Sequence, residues 1–462
     1  MSAAGHPGER DAALDAAGGV LPSANAVPLD QLSASERSAT WRTRFLVREW
    51  VAGSLFVIPT LYMATALALA EILPRIEGSR DVLSLNFEND TARTFYSAVA
   101  GGMIAFTGLV VSIAVVVVQF GASQYTPRLV SRFRRDPIVK HALGAFIAPA
   151  MFSLVSLGSI GRNGATVVPS VAITVALALL VGAVLAFYGL VGRLLDLLRP
   201  RRIVAQIVDQ AARAIREAYP FALREAPPPA VAEHAPVTSV VRHEGRPGVV
   251  SALDRARLVR AATAAGAVVE VRFGIGGYVP AGADLFAIRG GAEGVNRAEL
   301  RKGVILAEER TFTQDPAFAL RAIVDIALRA LSPAVNDPTT AVQALDGIDT
   351  LLMEFAARDL ERGRITGEDG ALRLVYPNMA WEDVLGLSLT EIRHYGVDTP
   401  QIARRMRALL LGLADHAPAA RRAALDDQLA RLDAAVRAAY PDVAERAYAE
   451  TPDHLGIGTG HH

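Results

Sequence analysis

Four stretches of this chain carry no Asp, Glu, Lys or Arg, and they constrain its fold more than any other feature. They run over residues 50–70, 94–127, 141–161 and 163–192. Each exceeds the ~20 residues that a helix needs to cross a bilayer core of about 30 Å at 1.5 Å per residue. The spacing predicts transmembrane helices over about 50–70, 97–120, 141–160 and 167–191. Ala68-Leu69-Ala70 has the look of a signal-peptide cleavage site, but the leader before the first run and the run itself are both too long for that reading.

The flanks orient the helices. Arg42, Arg44 and Arg48 precede the first run, Arg128, Arg132, Arg134, Arg135 and Lys140 fill the second loop, and Arg193, Arg199, Arg201 and Arg202 follow the fourth run. The first loop instead holds Glu71, Glu77, Asp81, Glu88 and Asp90. Positive charge stays on the cytoplasmic side, so both termini are expected in the cytoplasm of a bacterial inner membrane. Arg128, Arg132, Arg134 and Arg135 form a basic collar, with Leu129, Val130 and Phe133 interleaved. Such a segment lies at headgroup level and attracts anionic lipid, while also enforcing topology.

Inside the spans the polar content is mild, and proton pumps and ion-coupled carriers usually keep an ionisable residue there. Small residues recur at Gly101/Ala105, Gly108/Ser112, Gly144/Ala148 and Gly182/Ala186. These pairs let helix backbones approach, either within one subunit or between subunits of a homo-oligomer around a pore lined by the second helix.

The remaining chain is cytoplasmic by this topology. Residues 1–45 are rich in small residues without periodicity and read as a disordered tail. The membrane domain covers 46–198, and an amphipathic connecting helix covers 199–226, ending at a stiff Pro227-Pro228-Pro229. A small β-rich unit follows over 237–295: strands over 237–242 and 248–253, a helix capped by Asp254, a strand over 268–273 and a returning strand over 278–288. VEVRFGIGGYVPAGADLFAI is similar to the barrel-sandwich hairpins of biotinyl and lipoyl carriers, but it lacks the lysine that those carriers modify. The expected fold class is therefore an α-helical integral membrane protein with a cytoplasmic α+β region, a barrel-sandwich-like unit followed by a helical domain over 297–450. Residues 451–462 read as a dangling tail.

Composition removes several function classes. The chain has no cysteine, which excludes disulfides, thiolate catalysis and cysteine metal sites. Its 47 basic and 47 acidic residues cancel, so no bulk charge favours nucleic acid. Gly274-Ile275-Gly276-Gly277 is followed by strand rather than helix and reads as a turn, not a phosphate loop. No Walker, HExxH or GxSxG pattern is present, so there is no catalytic residue to name and no cofactor is expected.

One polar set remains: Glu308, Glu309, Arg310, Asp315, Asp325, Arg329, Ser332, Asn336 and Asp337. Carboxylates and an amide oxygen suit a hard cation, should they converge. The competing reading makes them helix caps and ion-pair partners. Asp315-Pro316 and Asp337-Pro338 are both cap-then-proline helix starts, and Arg321, Asp325 and Arg329 form one charged stripe on an otherwise apolar helix over 317–331. In the loop between these helices, Asn336 and Ser332 have no evident structural duty.

The string EERTFTQDPAFALRAIVDIALRALSPAVNDPTTAVQALD, residues 308–346, resembles the signature of the bacterial domain of unknown function 2254 family of predicted membrane proteins. VVSIAVVVVQFGASQYTPRLV and the GYVPAGADL hairpin fit it too, and the resemblance covers roughly residues 50–349. It implies a membrane fold and carries over no activity. Three functions stand open at this point: an oligomeric channel-like protein with a cytoplasmic regulatory domain, a membrane-anchored ligand or metal sensor or enzyme, and a non-transporting scaffold.

Overall fold

The computed structural model describes residues 27–32, 38, 40–77, 87–124, 133–160, 167–168, 170–196, 199–219, 221–223, 236–291, 294–312, 314–360 and 363–458. The chain divides into two compact units. Arg44–Ile203 form a membrane unit, and Met1–Thr43 join Val204–His462 in an extramembrane unit.

In the membrane unit, α1 (Trp41–Gly53) is separate from the first span, α2 (Val57–Glu77). The single helix expected over 50–70 is thus two, broken at residues 54–56. A break leaves carbonyls without partners at the end of α1. Lys140 supplies the partners: its Nζ donates to Val51 O at 2.9 Å and Ala52 O at 2.7 Å, which also sets a cation against the helix C-terminus.

The other spans are α3 (Asn89–Gln124), α4 (Pro137–Ser159) and α5 (Ser170–Asp196), and with α2 they make four helices long and apolar enough to cross a membrane. Two-residue strands β2 (Phe87–Glu88) and β3 (Val167–Val168) pair antiparallel between the first and third loops. The helix α4 is central. It packs on α2, α3 and α5, and half of its span is buried against about a fifth of each other span. Small residues permit this: a Cβ at Gly144 would stand 2.7 Å from the Tyr62 ring. Asp136 starts α4 by accepting from Ile138 N at 2.9 Å, with Pro137 at the first helical position. Its second oxygen takes Arg193 Nε at 2.5 Å.

In the extramembrane unit, α6 (Pro200–Ala218) buries Val204, Ile207, Ala211 and Ile215 along one face. Strands β4 (Val237–Arg242) and β5 (Gly248–Leu253) precede α7 (Arg255–Ala264), whose cap is Asp254, accepting from Arg257 N at 3.0 Å. Then come β6 (Val268–Val271), β7 (Tyr278–Val279), β8 (Asp284–Arg289), α8 (Arg297–Lys302) and β9 (Val304–Ala307). The helical part is α9 (Pro316–Ala330), α10 (Pro338–Ala356), α11 (Trp381–Gly396), α12 (Pro400–His416), α13 (Arg422–Ala439) and α14 (Val443–Ala449).

Two sequence expectations change here. The sheets are open rather than a barrel-sandwich, and the β-rich region is not confined to 237–295. The hairpin β10 (Arg364–Thr366) and β11 (Leu372–Val375) lies inside the helical stretch, and β1 (Val27–Pro28) lies in the N-terminal segment, yet both extend one six-stranded sheet in the order β1-β10-β11-β6-β8-β4. A second sheet has the order β7-β5-β9. The hairpin and β1 add strands to an edge that a barrel would have to close on itself. Val27, Leu29 and Leu32 are buried with Val241, Val269, Phe286, Ile365 and Leu374, so hydrophobic burial holds this piece of the expected tail in place.

The C-terminal segment is likewise packed. Asp453 is 3% exposed and accepts from Leu455 N, Gly456 N and Gly458 N at 3.1, 2.9 and 2.7 Å. The fully buried Arg404 donates to Thr451 O at 2.9 Å and stacks over Tyr448. The dangling-tail expectation therefore fails over residues 451–458, and residues 459–462 lie outside the described residues.

Candidate functional site

The polar set picked from the sequence is arranged around α9, and α9 itself keeps it apart. The helix has 15 residues, so its ends lie about 22 Å from each other at 1.5 Å per residue. Arg310 and Asp315 stand at the N-terminal end, Ser332, Asn336 and Asp337 at the C-terminal end, and Asp325 between them.

At the N-terminal end Asp315 caps α9 by accepting from Phe318 N at 2.9 Å. Asp315 as a whole is 3% exposed. Its Oδ2 has no hydrogen-bond partner and lies 3.6 Å from Arg310 Nε. Arg310 is committed elsewhere: Nε and Nη2 donate to Gly276 O at 2.9 and 2.5 Å. Gly276 has φ +81°, and a Cβ there would meet Arg310 Nη2 and Asp315 Oδ2 at 2.5 Å, so only glycine fits. The 274–277 segment is the expected turn, closed by Gly277 N donating to Gly274 O at 2.9 Å. Burial pushes the Asp315 carboxyl above its usual range, while the Phe318 N–H and the Arg310 charge pull the other way. Glu308 and Glu309 are exposed.

Along the helix, Arg321 pairs with Asp325 at 2.7 Å and with Glu391 of α11. At the far end Ser332 Oγ donates to Arg329 O at 2.7 Å, and Asp337 N donates to Ala330 O at 2.7 Å, which satisfies carbonyls of the last turn. Asn336 has φ +46°, the sole positive φ among described non-glycine residues, and asparagine tolerates that region better than most. Asp337 caps α10, accepting from Thr340 N at 3.0 Å and Thr340 Oγ1 at 2.5 Å. Ser332 and Asn336 thus have structural duties that the sequence did not reveal. Among the described residues no three His, Asp or Glu side chains are placed to hold a metal ion.

The membrane unit holds a second polar arrangement. Of the collar, Arg128 and Arg132 lie outside the described residues, and Arg134 and Arg135 are exposed. Arg135 pairs with Glu49 of α1 at 2.7 Å. Beside it a groove of about 450 Å³ runs between α2, α4 and α5, with Tyr62 Oη hydrogen-bonded to His141 Nδ1 at 3.2 Å at one end. In the sequence Lys140 and Arg193 read only as basic flanks, and no pattern there ties them to their partners, the α1 carbonyls and Asp136. Asp136-Pro137 has the same cap-then-proline spelling as Asp315-Pro316 and Asp337-Pro338, and that signal was available.

Comparison with known proteins agrees with a membrane protein. Similar proteins include Uncharacterized protein Mb1321c of Mycobacterium bovis and Uncharacterized protein Rv1290c of Mycobacterium tuberculosis. Each is 29% identical over 422 residues, covering 87% of this chain and 80% of the relative. No solved structure matches the chain. The family described as Predicted membrane protein (DUF2254) matches residues 52–411, which take in all four spans and both ends of α9, and the chain belongs to that family.

Proposed function

We propose that this is a non-enzymatic, multi-pass inner-membrane protein with cytoplasmic termini, which self-associates through α3 into a channel-like assembly regulated by the extramembrane unit. The observation that supports it is one face of α3. Gly101, Ala105, Gly108 and Ser112 recur at helical spacing on a charge-free span, and all four are exposed. A Cβ added at Gly101 or Gly108 would meet no atom within 4 Å. Helices in lipid associate by close backbone approach at such faces, because lipid tails supply no hydrophobic drive. The hydroxyls on this stretch turn back on the helix, Ser112 Oγ to Gly108 O at 2.9 Å and Thr107 Oγ1 to Met103 O at 2.6 Å, so a partner meets no unsatisfied donor there.

Placing both termini in the cytoplasm rests on the basic flanks. It is consistent with an even number of spans and with β1 sharing a sheet with β10. The chain has no cysteine, so one cysteine introduced at exposed Glu309 gives a clean accessibility assay. It is expected to resist a membrane-impermeant thiol reagent in intact cells and to react after lysis. Conduction is tested in liposomes. Ion flux under voltage or tension that is lost in Gly108→Leu supports the reading, and no flux under either stimulus overturns its channel-like part. A ligand-sensing extramembrane unit is the second reading, favoured by the buried Asp315 Oδ2 without a hydrogen bond.

A further inference from the structure

We propose that the membrane unit binds one anionic phospholipid in the groove between α2, α4 and α5, with an acyl chain on its small-residue floor and its phosphate at the basic end. The groove is about 450 Å³, within the roughly 300–1,000 Å³ range of small-molecule sites. Along α4 its lining runs from Pro137 to Ala148, about 17 Å at 1.5 Å per residue. That is about half of a ~30 Å hydrocarbon core, the depth of a single leaflet. A transmembrane helix from a second copy would run the full thickness, whereas a lipid chain ends where this groove ends. The α5 wall is Ala178, Gly182, Ala186 and Gly189, and a Cβ at Gly182 or Gly189 would meet nothing within 4 Å. The protein's own side chains therefore leave this hollow open.

Charge complementarity identifies the headgroup. The groove is lined by the Tyr62–His141 pair, whose rings meet edge to face at 5.8 Å, His141 lying one turn from Pro137 on α4. Arg193 lies one turn beyond Gly189 on α5, and its partner Asp136 immediately precedes Pro137, so the nearby carboxylate is already neutralised. Arg134, Arg199 and Arg201 are exposed at the same end of the spans, with no carboxylate paired to them among the described residues. A phosphodiester here accepts from the one proton that the Tyr62–His141 hydrogen bond leaves free, within an excess of cations. A zwitterionic headgroup would bring its own cation into that field.

The test is native mass spectrometry of the full-length protein released from detergent, after addition of phosphatidylglycerol or phosphatidylcholine with identical chains. Phosphatidylglycerol adducts are expected to survive activation that strips phosphatidylcholine. Gly182→Leu, which fills the groove, is expected to abolish that preference. Arg134→Gln, an exposed change with no packing role, is expected to lower phosphatidylglycerol retention about fivefold. Equal retention of the two lipids overturns the proposal. So does displacement of phosphatidylglycerol by inorganic phosphate alone, which would make this a free-anion site. So does a Gly182→Leu protein that changes oligomeric mass while keeping its lipid, which would assign the groove to a second copy.

Discussion

The membrane unit and the extramembrane unit use the same helix-packing rules in opposite solvents. In the first, Leu109, Val116, Phe120, Leu185 and Tyr188 are more than half exposed. In the second, Leu320, Ile323, Leu345, Ile348, Leu389 and Leu409 are buried, while arginines meet carboxylates outside. An exposed apolar side chain therefore reports what surrounds a unit and says little about how well it is packed. What the two share is polar: each starts key helices with an aspartate followed by proline, Asp136 in one and Asp315 and Asp337 in the other.

The largest expected effect sharpens that shared feature. Asp136→Ala removes a cap and also the carboxylate paired with Arg193 at 2.5 Å, so it is expected to cost about 2–4 kcal/mol, a cap plus one charge-assisted hydrogen bond. Asp337→Ala loses a cap and the Thr340 Oγ1 bond but no ion pair, about 1–2 kcal/mol. Unfolding in mixed micelles measures both, and equal losses would mean that Arg193 is no more dependent on its partner than an ordinary cap. The next test separates the solvents. Leu345→Ala, fully buried, is expected to cost about 2–5 kcal/mol. Leu61→Ala, 65% exposed on α2, is expected to leave stability within about 0.5 kcal/mol. A comparable loss at Leu61 would break the comparison by showing that this face is packed.

The smallest effect is a slope. Burial raises the Asp315 carboxyl, so the folded chain holds its proton more tightly than the unfolded chain does. Stability contributed by this group is therefore present below the ordinary aspartate value of about 4 and declines as pH rises through the raised native value. Asp315→Asn keeps an oxygen for Phe318 N and is expected to flatten that decline in melting temperature against pH. An unchanged slope would assign it to other groups.

How much of this was legible followed from how local each cause is. The spans were readable because twenty uncharged residues satisfy the bilayer by themselves, whatever surrounds them. The strands over 237–242 and 248–253 and the Asp254, Asp315 and Asp337 caps depend on neighbours within a few residues, and those were readable too. The addition of Val27–Pro28 and the 364–375 hairpin to one sheet depends on partners far away in sequence, and strands of two to four residues carry little period to read. Lys140 looked like one more loop cation, since its duty is set by where α1 breaks, 88 and 89 positions earlier. The polar candidates were close in sequence and apart in space because a helix of 15 residues stands between them. Asn336 showed no duty because a positive φ leaves no mark on a residue's neighbours.

The measurement that bears most directly on the account is the mass of the purified complex in detergent and in lipid nanodiscs, compared with Gly108→Leu. The account predicts a discrete homo-oligomer for the natural chain and a shift to monomer for the variant, with helical content unchanged. A natural chain that is monomeric in both environments, or an oligomer indifferent to Gly108→Leu, would contradict it.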